Sequence, residues 1–141
     1  MMARASQPEP SKVTDVYWLR AQGPASPRPE RAGRGGKWLV FVSAEAVDEV
    51  WARIKEATED GRLGIGAKVS TARLNPNATR SNSRVICVYT YAWEDEADVM
   101  RVRGELRRVG ITQKIPYKAD EDTRAGKYRA RGDSKIARYF A

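Results

Sequence analysis

Four stretches of this chain space their apolar and β-branched residues as strands do, and two space them as helices do, in the order strand, helix, strand, strand, helix, strand. The first strand opens at Lys37, where Trp38, Val40 and Val42 alternate with Lys37, Leu39 and Phe41, a pattern expected to be buried mostly on both faces. Ser43 is positioned to cap a helix with Val47, Val50, Trp51 and Ile54 at three- and four-residue spacing and Gly61 to end it. A strand over 65–71 follows, then a loop opening at Asn75-Pro76-Asn77 and a strand over 84–91. A second helix over 95–109 lines up Val99, Val102, Leu106 and Val109 and stops at Gly110. The last strand, 112–118, contains Pro116, which argues for an edge or a bulge. This order predicts an α+β fold, a mostly antiparallel sheet with two main helices on one face and the other face open to a ligand.

Before Lys37 the sequence has a different character. Residues 1–16 read as a disordered arm, although Tyr17-Trp18-Leu19 has the look of a short docking strand. The stretch 17–36 otherwise reads as a linker, rich in Pro, Gly, Arg and Ala from Gly23 onward, and 37–141 as one α+β domain. No apolar run approaches the ~20 residues that cross a bilayer, and the N-terminus lacks a signal-peptide stretch, so the expectation is a cytoplasmic protein without a membrane partner.

Charge is sorted by segment. Residues 62–91 carry five Arg or Lys and no acid, whereas 43–61 carry six acids and two bases, within a net charge of +8. The basic stretch belongs to the strands and the acidic one to a helix, so the positive side of the fold points to an anionic ligand. The chain has no histidine, which excludes Ser-His and Cys-His catalytic pairs, His-ligated zinc and an imidazole proton shuttle. Its one cysteine, Cys87, between Ile86 and Val88, reads as a core thiol. No Walker or Rossmann glycine signature is present, and neither a metal nor an organic cofactor is expected.

Alternation assigns the lysines to faces. Lys68 and Ser70 share one face of their strand, and Lys114 and Lys118 one face of theirs. With Lys37 on the same side, three strands would present ammonium groups to one cleft fit for phosphate. Lys68 stands in Ile65-Gly66-Ala67-Lys68-Val69, where desolvation would lower its pKa and make it a competent base. Tyr89, Tyr91 and Trp93 follow as residues able to pack, stack on a planar ligand or, for the tyrosines, donate a proton. The segment from Tyr117 to Tyr128 reads as a loop.

At Gly36-Lys37-Trp38-Leu39, Ala67-Lys68-Val69-Ser70, Arg84-Val85-Ile86-Cys87-Val88-Tyr89-Thr90 and Tyr117-Lys118-Ala119-Asp120 the chain resembles the uncharacterised basophilic leukaemia-expressed protein family. That resemblance runs from Gly36 to Tyr128 and implies a fold like translation initiation factor 4E. A weaker likeness is to bacterial effector phosphothreonine lyases, which eliminate phosphate with a lysine base and a histidine acid. It implies Lys68 as base, Lys37 and Tyr89 as further catalytic groups, and Arg80 or Arg84, Lys118 and Arg124 as phosphate ligands. Leu39 stands where the acid histidine would be.

Three functions follow as expectations. The first is a lyase-like enzyme acting on a phosphorylated peptide, protein or small molecule. The second is a non-catalytic module binding a nucleotide or RNA end, with Trp38, Tyr91 or Trp93 stacking on a base. The third is a regulatory domain whose basic surface meets an acidic protein.

Overall fold

The computed structural model of the chain describes residues 8–24, 33–73, 82–124 and 137–141. Six strands form one antiparallel sheet: β1 (Trp18–Gln22), β2 (Gly36–Ser43), β3 (Gly66–Ser70), β4 (Ser83–Thr90), β5 (Pro116–Ala119) and β6 (Tyr139–Phe140). Their spatial order is β1-β3-β4-β2-β5-β6. The helices are α1 (Val47–Glu59), α2 (Glu96–Arg108) and the short α3 (Asp120–Arg124), which follows β5 directly.

Eight residue pairs, from Gly36↔Thr90 to Ser43↔Ser83, join β2 to β4 at the sheet's centre. Side chains alternate along each strand, so this register sends Trp38 and Val40 to the same side as Val88 and Ile86. All four are fully buried, as are Val47 and Ile54 of α1 and Val99, Val102 and Leu106 of α2. They join in one core between the sheet and the two main helices. The indole N–H of Trp38 donates to the carbonyl of Val99 (3.0 Å), fastening α2 to the central strand. β2 is therefore buried on one face only. Leu39 is half-buried and Phe41 is 56% exposed, contrary to the two-sided burial expected from its apolar run.

The helix ends follow from their sequences. Asp95 caps α2 by accepting from the amide of Asp98 (3.1 Å), with Glu96 and Asp98 in the first turn and Arg107 and Arg108 in the last, each sign favoured by the helix dipole. α1 starts three residues later than a Ser43 cap would put it. Ser43 instead closes a turn by accepting from the Ala46 amide (3.2 Å). Gly61 and Gly110 end their helices with φ of +80° and +106°, the left-handed region that glycine adopts without a Cβ penalty.

Within the described part of the arm, residues 8–16, there is more order than the composition predicts. Pro10–Lys12 form a 3-10 turn with Pro10 buried, and the amide and hydroxyl of Ser11 both donate to the Asp48 carboxylate of α1. Other departures come from strand length and from charge. The last expected strand shortens to β5, leaving Lys114 exposed ahead of it, and acids in the expected loop form α3. β6 is anchored by Arg103, 2% exposed, whose guanidinium donates to the carbonyls of Ala141 (2.8 Å), Ile111 (2.9 Å) and Gln113 (2.5 Å). Among the described residues no helix is long and apolar enough to cross a membrane.

Gly36 exposes how tightly β2 and β5 are packed. A Cβ there would overlap the buried ring of Tyr117, whose hydroxyl bonds Thr90 (2.6 Å) and whose ring meets Trp38 edge-on at 5.2 Å. Gly36→Ala is expected to destabilise the fold by about 1–3 kcal/mol, the usual cost of overpacking. Urea unfolding should show a lower midpoint with an unchanged slope.

Candidate anion-binding site

The two main helices pack on one face of the sheet, and the register decides what stands on the other. Lys37 pairs with Lys118 on one side and Tyr89 on the other, so β5, β2 and β4 present these three side chains in a row. In the neighbouring row, Leu39 pairs with Cys87, Cys87 with Lys68, and Lys68 with Arg20 of β1. Lys37 and Lys68 are two strands and two residues apart, about 12 Å between Cα atoms from ordinary strand spacings, within the combined reach of two lysine stems. The placement of Lys37, Lys68 and Lys118 on one face thus follows from backbone pairing.

The electrostatics of the face match this placement. Burial lowers the Lys68 pKa, and Arg20 and Lys37 lower it further, while Cys87 and Asp120 act in the opposite sense. Its ammonium lies 4.0 Å from the centre of the Trp18 ring. Lys118 is lowered by burial and then by Lys37. Burial raises Tyr89, and the Lys37 ammonium stands 5.7 Å from its ring centre. Cys87 is 4% exposed but stands on the lysine face, not in the core between sheet and helices where its apolar neighbours Ile86 and Val88 lie, and burial raises its thiol against the pull of Lys68 and Lys37, which keeps it inert. Lys37 donates to Asp120 Oδ1 at 2.8 Å, and Asp120 is held by its own amide on the Gly35 carbonyl (2.9 Å).

Other expected site residues lie elsewhere. Arg84 pairs with Val42, which sets it on the helix-covered side with Trp38, not on the lysine face; it is 7% exposed and donates to the Ser83 carbonyl (3.0 Å). Arg80 lies outside the described residues, and so does the side chain of Arg124. Of the expected stacking residues, Trp38 is sealed in the core and the Tyr91 hydroxyl donates to Asp95. Trp93 has the guanidinium carbons of Arg138 and Arg34 at 4.1 and 5.8 Å from its ring centre. Trp18, Arg20 and Asp120 are the site residues that sequence reasoning missed. Alternation in Trp18-Leu19-Arg20-Ala21 is the signal for the first two, since Leu19 and Ala21 are the apolar partners of a one-sided strand. No group of three or more metal-ligating side chains occurs among the described residues.

Solved structures of similar fold include initiation factor 4E proteins. C. elegans eIF4E-3 with the 4E-binding protein Mextli and a cap analog matches with a TM-score of 0.54 at 20% identity, over 77% of this chain and 57% of that one. Schistosome eIF4E with m7GpppA and 4E-BP gives 0.55 at 19% over 77% and 59%, and Ascaris suum eIF4E-3 with the m2,2,7G cap gives 0.53 at 20% over 81% and 63%. The fold is therefore of the initiation factor 4E type, and the chain spans about three-fifths of the length of these structures. Residues 30–124 match the sequence model of Basophilic leukemia-expressed protein Bles03, and the chain belongs to that family.

The lowered Lys68 has a measurable consequence. Its folded pKa lies below the 10.5 of an unfolded lysine, so at neutral pH the fold carries a cost of keeping it charged. That cost recedes as pH rises through the folded value and is gone above 10.5. Lys68→Met should accordingly unfold at higher urea than wild type at pH 7, with the gain shrinking as pH is raised. Carbon-13 spectra of dimethylated protein should show Lys68 and Lys118 titrating below 10.5.

Proposed function

We propose that this chain is a binding module that holds the phosphate of a nucleotide or RNA end on the open face of its sheet. Lys68, Lys118 and Arg20 supply the cationic contacts, with Lys37 alongside. The observation that carries this reading is the register that aligns Lys118 with Lys37 and Tyr89, and Lys68 with Arg20, on the face opposite the two main helices. Trp18, beside Lys68, offers a ring on which a base can lie, a contact worth about 1–3 kcal/mol where it forms. Similar structures bear a cap analog, m7GpppA or an m2,2,7G cap, which supports a nucleotide as the ligand class. The phosphate roles of Arg80 and Arg124 rest on resemblance alone, and Arg84 has no part in this reading.

Titration with m7GpppG or GTP at low salt is expected to quench tryptophan fluorescence, with affinity falling as salt rises. Lys68→Met should weaken binding about tenfold, the order of one charge-assisted hydrogen bond, whereas Arg84→Gln should change it less than twofold. A flat titration with both nucleotides at low salt would count against the module.

The lowered pKa of Lys68 favours a second reading, elimination of phosphate from a phosphorylated residue. Lys68 Nζ would take the proton from the carbon next to the phosphate-bearing one, a carbon-carbon double bond would form, and the carbon-oxygen bond to phosphate would break. Leaving-group protonation is the difficulty, because Leu39 replaces the acid and Lys37 is engaged by Asp120. Mass spectrometry of phosphothreonine and phosphoserine peptides after incubation decides it. A dehydrated product that disappears in Lys68→Ala supports elimination, and no product between about pH 6 and 9 removes it.

A further inference from the structure

The open face is not purely cationic. Asp120 enters it from the first residue of α3, and its carboxylate acts on Lys68, Cys87 and Tyr89, each from a different position across β3 and β4. One oxygen, Oδ1, takes the Lys37 ammonium at 2.8 Å. The other, Oδ2, accepts no hydrogen bond among the described residues, and the side chain is 29% exposed. Space beside Oδ2 is kept by Gly35, where a Cβ would stand 3.2 Å from that oxygen. The carboxylate is also rigidly placed. Its backbone amide is bonded to Gly35, and the next two residues of α3 are held by Arg138, which pairs with Glu121 (3.2 Å) and Asp122 (2.7 Å).

An anion entering this face meets two opposed effects. Lys68, Lys118 and Arg20 attract it, while Asp120 repels it and occupies the ammonium of Lys37. A ligand that brings only negative charge has to work against the carboxylate. A ligand that carries a donor or a positive group close to its phosphate satisfies the lysines and Oδ2 together. We propose that Asp120 is a specificity-determining counter-ion, selecting phosphate monoesters that bear an ammonium or N–H donor a few bonds from the phosphate over simple polyanions. This deepens the binding function proposed above and rests on it.

Ethyl phosphate and 2-aminoethyl phosphate differ by one ammonium group and test the idea directly. Each is titrated into nitrogen-15-labelled protein, following the backbone amides of Lys37 and Lys68. Wild type should bind 2-aminoethyl phosphate about threefold or more tightly than ethyl phosphate, within the range of one partly exposed ion pair. Asp120→Asn should bind ethyl phosphate more tightly than wild type does and lose the preference. Equal affinities in wild type, or a preference that survives Asp120→Asn, would overturn the proposal while leaving phosphate binding intact. If wild type binds neither ester, nor m7GpppG in the fluorescence titration, the binding function falls and this inference with it. Should the variant fold poorly, the wild-type ratio alone still decides, because equal affinities already refute selection by the carboxylate.

Discussion

The antiparallel pairing of β2 with β4 is the constraint on which both halves of this molecule depend. With a side-chain period of two, a slip of one residue would turn Lys37 and Leu39 toward the helices and Trp38 and Val40 toward water. Core and candidate site are therefore specified by the same pairing. Trp38 locks it: the ring fills the centre of the core, the N–H holds α2, and Tyr117 packs against it from β5. Burying an unpaired ammonium in place of such a ring would cost several kcal/mol, so the lysines on the open face also protect the register from the other side.

Burial first, and then neighbouring cations, lower the pKa values of Lys68 and Lys118, which is the penalty of setting them together on one sheet face. Two devices limit it. Trp18 lies under the Lys68 ammonium, a contact worth about 0.5–2 kcal/mol depending on exposure, and Asp120 pairs with Lys37. The second device has a chemical consequence that the first lacks, since an aromatic ring adds no charge to the face and a carboxylate does. α3 thus fits into the architecture as an acidic element set beside the basic one, with Arg34 and Arg138 supporting its remaining acids.

Much of this was legible in the chain because periodicity reports faces. The order of elements and the one-sided helices follow from periodicity, and alternation sets the face of each lysine within its own strand, but the common face of Lys37, Lys68 and Lys118 needs the strand pairing as well. Arg84 shows where that reasoning fails. It opens β4 and belongs to the same basic stretch as Lys68, yet its parity along β4 is that of Ile86 and Val88, so it faces the helices. Counting from Tyr89 would have separated the two faces, since residues five apart on a strand point opposite ways. Asp120 was hidden for another reason. Its pairing with Lys37 spans 83 residues, and no local pattern encodes a contact made through a neighbouring strand and the start of a helix. Arg20 and Trp18 were obscured by the composition around them, because a short edge strand next to Pro- and Gly-rich sequence presents too few residues for alternation to stand out.

That edge strand determines how complete the candidate site is at any moment. β1 pairs with β3 alone, so its hold on Trp18 and Arg20 rests on one ladder, on the packing of Leu19 and Ala21 against the core, and on contacts at its two ends. At its start, Thr71 donates from its amide to the Tyr17 carbonyl (3.1 Å) and from its hydroxyl to the Val16 carbonyl. Arg73 reaches the Asp15 carbonyl (2.9 Å) while covering the Tyr17 ring. Further back, the Pro10 carbonyl accepts from Ala72 (3.0 Å) and Ser11 is fixed to Asp48. At its end, the Gly23 amide bonds the Ile65 carbonyl (3.0 Å). Elements held mainly by exposed backbone bonds open at lower free energy than a central strand does. Trp18 and Arg20 therefore stand on an edge strand, which Leu19 and Ala21 pack against the core, while Lys37 and Lys68 stand on inner strands of the sheet. Residues of the arm that composition marks as disordered, Pro10 and Ser11 among them, thus help to hold that half of the face in place.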